Sequence, residues 1–296
     1  MKLSVSNPPH IKQGVTVKTI MWSKIAILVA VGLMAVFVFG LSALAMILVS
    51  TISAVLTEAG IQKMTKQELT IKDGDAVSIG ILIALLLPST VPLWIPAIGA
   101  FFGVALVKHA FGGLGSTLFN PAIAAWVFMN MSWGALTKVS SVSHIGSASY
   151  NILFLGKYSD IIFESGAGML AEVSSFILVI GGLYLIYKKY IDWRIPSSFV
   201  VTTVVMALLL GEDLSYVITG MLFLGVFILA TETATSPITK NGRFIYGLLC
   251  GVLTIMYGFI SSNYVVAVLY AVFFANAVAP FIEKNTSPKP VDEVAL

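Results

Sequence analysis

The chain has 296 residues, of which 58% are apolar and only 10% charged, and its mean hydropathy is +0.96. A soluble protein of this length keeps about a quarter of its residues charged, so the composition excludes an ordinary soluble domain and indicates an integral membrane protein. A single cysteine, Cys250, excludes an intramolecular disulfide framework and any iron–sulfur or zinc site built from this chain's cysteines alone. Three scattered histidines, His10, His109 and His144, offer no metal site, and the net charge of +3 gives no reason to expect nucleic acid, because basic residues in a membrane protein mostly report orientation.

A helical span needs about 20 mostly apolar residues to cross a hydrocarbon core roughly 30 Å thick. That ruler predicts an all-α protein with ten spans, near residues 22–39, 41–57, 76–91, 93–110, 120–137, 168–187, 195–211, 214–231, 243–260 and 264–282. The first apolar run continues past a Gly40-Leu41-Ser42 break to Leu56, far beyond a secretory signal, and is expected to stay as a helical hairpin. Ten alternating spans place both termini on one side. Fifteen of the seventeen Lys and Arg residues then fall on that side, and only Lys138 and Lys157 fall opposite. The positive-inside rule therefore predicts cytoplasmic termini in a cell membrane. The expected organisation is a cytoplasmic segment 1–21, a first half 22–137, an external loop 138–167, a second half 168–282 and a cytoplasmic tail 283–296.

Five spans per half is an odd number, so a duplication would give two halves of inverted topology. Pro88, Gly99 and Gly103 recur as Pro237, Gly247 and Gly251, and each glycine pair forms a Gly-x-x-x-Gly face suited to close helix approach in lipid. The stretches 87–92 and 231–237 interrupt spans three and eight. Either they are ordinary helix ends, or they dip into the bilayer and meet near its midplane as a pore or cofactor seat.

Several polar landmarks match a known family: Ser6-Asn7-Pro8-Pro9-His10-Ile11, Leu56-Thr57-Glu58-Ala59, Asp73-Gly74, Phe111-Gly112-Gly113-Leu114-Gly115 and Phe119-Asn120-Pro121-Ala122. Asp192-Trp193-Arg194-Ile195-Pro196, Thr235-Ser236-Pro237 and Phe274-Ala275-Asn276-Ala277-Val278-Ala279-Pro280 extend the likeness to the end of the chain. The chain resembles the RnfD/NqrB family over essentially its whole length. The resemblance implies a membrane component of an Rnf-type complex that couples ferredoxin- or NAD-linked electron transport to Na⁺ or H⁺ movement, working with partner subunits in the bilayer and not catalytic alone. It also implies a flavin. The family carries FMN on a threonine of a Ser/Thr-Gly-Ala-Thr sequence in the external loop after span five, whereas this loop reads Ser143-His144-Ile145-Gly146-Ser147-Ala148-Ser149. Ser149 is the best placed acceptor, ahead of Ser147 and Thr137; bound FMN or riboflavin is the alternative. The family's aspartate-proline after span eight is replaced by Glu232. The rival class is an inverted-repeat solute channel or transporter with no redox role.

Three carboxylates, Glu58, Glu172 and Glu232, fall within or at the ends of spans. A carboxylate in hydrocarbon is costly and usually faces protein, water or a partner charge, so these are the candidates for an ion pathway, with interfacial placement as the bland alternative. Gly113 and Asn120 could help line a flavin or ion site, although the glycine run lacks dinucleotide spacing and reads equally well as a tight turn. Lys108 and His109 read as a snorkelling anchor and its neighbour. Trp22, Trp94, Trp133 and Trp193 fit an interfacial belt.

Overall fold

A computed structural model describes residues 16–66, 70–113, 115–137, 168–212, 214 and 219–287. Among the described residues the protein is all helical, with ten helices in the order that hydropathy predicts. These are α1 (Val17–Phe39), α2 (Leu41–Met64), α3 (Asp75–Leu85), α4 (Trp94–His109), α5 (Pro121–Thr137), α6 (Ser175–Tyr187, preceded by a 3₁₀ turn Leu170–Ser174), α7 (Arg194–Leu210), α8 (Gly220–Leu229), α9 (Lys240–Ser261) and α10 (Tyr264–Thr286). Five of the helical segments, Val17–Phe39, Leu41–Met64, Leu170–Tyr187, Lys240–Ser261 and Tyr264–Thr286, are long and apolar enough to cross a membrane. Their outward faces carry large apolar side chains such as Leu33, Phe37 and Leu56, each more than 60% exposed. Such a surface is stable only against lipid or another protein, so the chain is an integral membrane protein.

Polar contacts put alternate helix ends on one face, the charged end of the bundle. The end of α2, the start of α3 and the end of α4 meet there through Glu58, Asp75 and Lys108. The first turns of α1 join the end of α8 through Lys24 and Glu232. The α6–α7 connection meets the start of α9 through Asp192 and Arg243, and the start of α9 meets the end of α10 through Thr239 and Thr286.

Two helices are short. At 1.5 Å per residue, α3 and α8 are each only about 15 Å long, half a hydrocarbon core. Hydropathy extends spans three and eight further, to 76–91 and 214–231, because it registers apolar side chains but not the loss of helical backbone at Leu86–Pro88 and at the extended Thr219. The broken end of α3 is satisfied by the start of the sixth segment: Leu170 N–H donates to the Leu87 carbonyl at 3.1 Å, and Pro88 pairs with Met169. The start of α8 closes on the same place, where a side chain at Gly220 would sit 2.6 Å from the Glu172 carbonyl. The interruptions 87–92 and 231–237 therefore have different partners, which is at odds with the alternative in which they meet and leaves the reading as helix ends. The reason is alternation: the third helix runs away from the charged end and breaks at the far side, whereas the eighth runs toward it.

Both recurring glycine pairs are packing surfaces, but against non-equivalent neighbours. Gly99 and Gly103 lie on α5, beside Met129 and the Pro121 carbonyl, whereas Gly247 and Gly251 lie on α7, beside Ser198, Thr202 and the Ile195 and Phe199 carbonyls. In an inverted duplication the counterpart of α7 is α2, so the two faces are not symmetry mates.

Candidate functional site

The site is built where α4 and α8 widen from α-helix to π-helix, over Gly103–His109 and Gly225–Leu229. The wider turns are closed by i to i+5 bonds, from Ala110 N–H to the Ala105 carbonyl and from Ala230 N–H to the Gly225 carbonyl. Such bulges rotate the residues that follow them, and they recur at functional positions. Here one carries Lys108 inward and the other precedes Glu232. The glycine run then satisfies the end of α4, with Gly113 N–H donating to the Lys108 carbonyl at 2.9 Å from a left-handed φ of 94°. That is a helix-terminating turn.

Lys108 is 2% exposed and is no snorkelling anchor. Its Nζ donates to Glu58 Oε1 at 2.8 Å and lies 2.7 Å from Asp75 Oδ2. Glu58 itself is fully buried, so it faces protein rather than solvent or lipid. Gln62, one turn later on α2, donates from Nε2 to the same Oε1 at 3.1 Å, and the Thr70 hydroxyl donates at 3.3 Å. The other oxygen, Oε2, is buried without a partner. Asp75 belongs to the first turn of α3, where the helix dipole favours an acidic side chain. Two carboxylates around one ammonium leave the cluster one positive charge short.

Beside this cluster, Lys24 Nζ donates to Glu232 Oε2 at 2.9 Å, joining the first half of the chain to the second. Lys24 is only 3% exposed. Lys108, Asp75, Glu232 and Asn120 line one cavity of about 20 Å³, room for a water molecule or a small cation. Asn120 caps α5, its Oδ1 accepting from Ala122 N–H at 3.0 Å. The space beside it is far too small for a flavin ring.

The structure thus brings together Glu58, Glu232 and Asn120, with Gly113 in the turn that follows Lys108. Glu172 stands apart, in the turn before α6 at the far end of α3; it is 7% exposed and its Oε1 has no partner. Thr137 is buried, with its hydroxyl donating to Asn130 Oδ1 at 3.2 Å and to the Trp133 carbonyl at 3.3 Å. Ser147 and Ser149 lie outside the described residues. Lys24, Asp75 and Lys108 are the charged members of this candidate site that sequence reasoning did not single out for it. The available signal was two lysines within apolar segments whose alternation places them beside span-end carboxylates.

Comparison with known proteins gives this geometry a family context. The model of the NQR2, RnfD, RnfE family matches residues 4–292. The chain belongs to that family. It is 47% identical over 292 residues to the D subunit of the ion-translocating oxidoreductase complex of Methanosarcina acetivorans, covering 99% of this chain and 98% of the relative. It is 37% identical to the D subunit of the Na⁺-translocating ferredoxin:NAD⁺ oxidoreductase complex of Acetobacterium woodii, covering 98% and 95%. It is also 34% identical to the D subunit of the proton-translocating ferredoxin:NAD⁺ oxidoreductase complex of Clostridium ljungdahlii, covering 96% and 95%. Membership of the NQR2, RnfD, RnfE family accords with the sequence motifs, while the Na⁺ and proton relatives lie at similar distances from this chain.

Proposed function

We propose that the chain is the D subunit of an Rnf-type ferredoxin:NAD⁺ oxidoreductase complex in the cell membrane, and that the Lys108 cluster handles the transported cation. The full-length likeness to three such proteins supports the role. The observation that carries the site is Lys108, which lines a water-sized cavity together with Asp75 and Glu232 while bonded to a Glu58 whose Oε2 is buried and unpartnered, in a cluster one positive charge short. A proton or an alkali cation supplies that charge at the depth where it is otherwise expensive to leave carboxylates uncompensated. Glu232, tethered to Lys24, lines the same cavity. Glu172, at the far end of the short helix α3, offers a second carboxylate on the way across. All ten helices cross or enter the bilayer as two inverted halves, 22–137 and 168–282, with both termini cytoplasmic.

Membrane vesicles containing the whole complex test the site. Glu58→Gln is expected to leave ferredoxin-dependent NAD⁺ reduction measurable while lowering cation uptake per electron severalfold. Uptake per electron at the wild-type ratio would remove Glu58 from the ion path.

A flavin held by this protein would supply one-electron redox chemistry that the chain's own side chains lack. Its proposed seat is the external loop rather than the neighbourhood of Asn120, where the cavity holds only a water-sized guest. Ser149 is the proposed acceptor hydroxyl, before Ser147 and Thr137, the last of which already spends its hydroxyl on Asn130. Denaturing electrophoresis under ultraviolet light decides the linkage: fluorescence that survives in the wild type and is lost in Ser149→Ala supports it, whereas flavin present only in native protein points to noncovalent FMN or riboflavin.

A further inference from the structure

A second, larger cavity of about 410 Å³ opens at the charged end, between the α6–α7 connection, the segment after α8 and the start of α9. Its ionic groups are Lys189, Arg194, Arg243 and Asp192. None of them belongs to the Lys108 cluster. Three cations against one carboxylate leave two positive charges uncompensated among these lining groups.

The two guanidinium groups are held in place. Asp192 Oδ2 accepts from Nη1 of both Arg194 and Arg243, and its Oδ1 accepts from Arg194 N–H at 3.0 Å. Arg243 Nε donates to the Pro237 carbonyl at 3.1 Å, and Arg194 lies 5.4 Å from the centre of the Trp193 ring. Each arginine has five N–H donors, so Arg194 keeps four and Arg243 three for another acceptor. Lys189 is presented from a left-handed turn, φ 58°, after α6. Thr233 and Ser236 add hydroxyls, and Tyr190 and Trp193 add aromatic surface. Apolar side chains run from this cavity along the outside of the bundle: Leu183 and Tyr187 on α6, and Ile245 and Leu248 on α9, all more than 45% exposed.

We propose that this cavity binds a phosphate-bearing anion. Rigid arginine forks match phosphate oxygens bidentately, and a lysine adds a point charge. The volume admits a phosphate with an attached glycerol or ribose. Two chemical sources fit: the headgroup of an anionic glycerophospholipid, whose chains would cover the exposed apolar flank, and a soluble phosphate ester. Basic pockets between helices at a membrane face commonly take the first.

The intact complex, extracted in detergent and stripped of lipid, is titrated separately with dioleoyl-phosphatidylglycerol, dioleoyl-phosphatidylcholine and adenosine diphosphate while its thermal midpoint is followed. The midpoint is expected to rise with phosphatidylglycerol at much lower concentration than with phosphatidylcholine. Lys189→Gln, which removes a side chain with no ion pair among the described residues, should raise the half-saturating concentration about fivefold, the worth of one interfacial cation. Arg243→Lys keeps the charge and the fold while removing the fork, and should weaken binding in the same direction. A response to adenosine diphosphate alone, lost in both variants, keeps the phosphate site and assigns it a soluble ligand. Equal responses to neutral and anionic lipid, or variants indistinguishable from wild type, overturn the proposal.

Discussion

Lys108 owes its place in an apolar interior to two carboxylates, and neither side of that arrangement tolerates removal of the other. Lys108→Met leaves Glu58 and Asp75 facing each other without a cation, and it should cost about 3–5 kcal/mol of stability. Combining it with Glu58→Gln and Asp75→Asn should recover most of the loss; thermal melting of the detergent-solubilised complex measures both. A triple variant no better than the single one would mean that the ion pairs are not the cause. Outside the spans, Asp192 gives a pH signature. Burial pushes its carboxyl up, but bonds from the Arg194 backbone amide and from the Arg243 and Arg194 guanidinium groups outweigh this and hold it below the ordinary value. A carboxyl lowered on folding stabilises above its unfolded value, about 3.9, and that contribution disappears as pH falls through the folded value. Asp192→Asn should therefore melt lower than wild type at pH 7, with the gap closing below about pH 4. A gap independent of pH would assign Asp192 a purely steric role.

At the scale of helices, the same small residue has different costs depending on what it faces. A methyl group on Gly80 would lie 2.5 Å from Thr51 Cα, and backbone cannot step aside, so Gly80→Ala should force α2 and α3 apart at about 1–3 kcal/mol. At Gly99 the obstacle is the flexible Met129 side chain, and Gly99→Ala should cost less than about 1 kcal/mol. Gly103→Leu and Gly251→Leu press on the carbonyls of Pro121 and Phe199 and should lower the yield of intact complex. Comparable yields for all four would mean that these contacts do not determine packing. The number and order of the helices were legible, since each needs only its own apolar run. The recurring glycines were legible as packing faces too, but their partners were not, because periodicity marks a face without saying which helix covers it. The short lengths of α3 and α8 were hidden for a related reason: Leu85, Leu86 and Leu87 have the same hydropathy in a helix and in a break.

Across the whole molecule, charge placement separates two populations of basic residues that a count treats alike. Lys188, Lys240 and Lys284 lie near helix ends, where the positive-inside rule counts them, while Lys24 and Lys108 are interior partners of carboxylates. Removing both from the count leaves thirteen of fifteen basic residues on the side of the termini, and the rule still predicts cytoplasmic termini. It predicts that Ser143→Cys, introduced in place of a residue in the 138–167 loop, reacts with an impermeant maleimide added to whole cells. Reaction only after lysis would invert the topology. The candidate site itself was half legible. Glu58 and Glu232 stood out as carboxylates at span ends, but Lys108 read as a snorkelling anchor and Lys24 entered only the orientation count, because a partner 50 or 208 residues away leaves no local trace.

Those two separations set different waiting times during synthesis. When Lys108 leaves the ribosome, Glu58 and Asp75 have already been made, and the ammonium can enter the membrane with its counter-ions. Lys24 must wait for Glu232, 208 residues later. At about 5–20 residues per second this is roughly 10–40 s. For that interval Lys24, near the start of the apolar stretch of α1, has no carboxylate partner on α8, so the hairpin of α1 and α2 packs fully only when the end of α8 arrives. The Lys24–Glu232 bond thereby acts as a late closing step, made only after most of the second half has been translated.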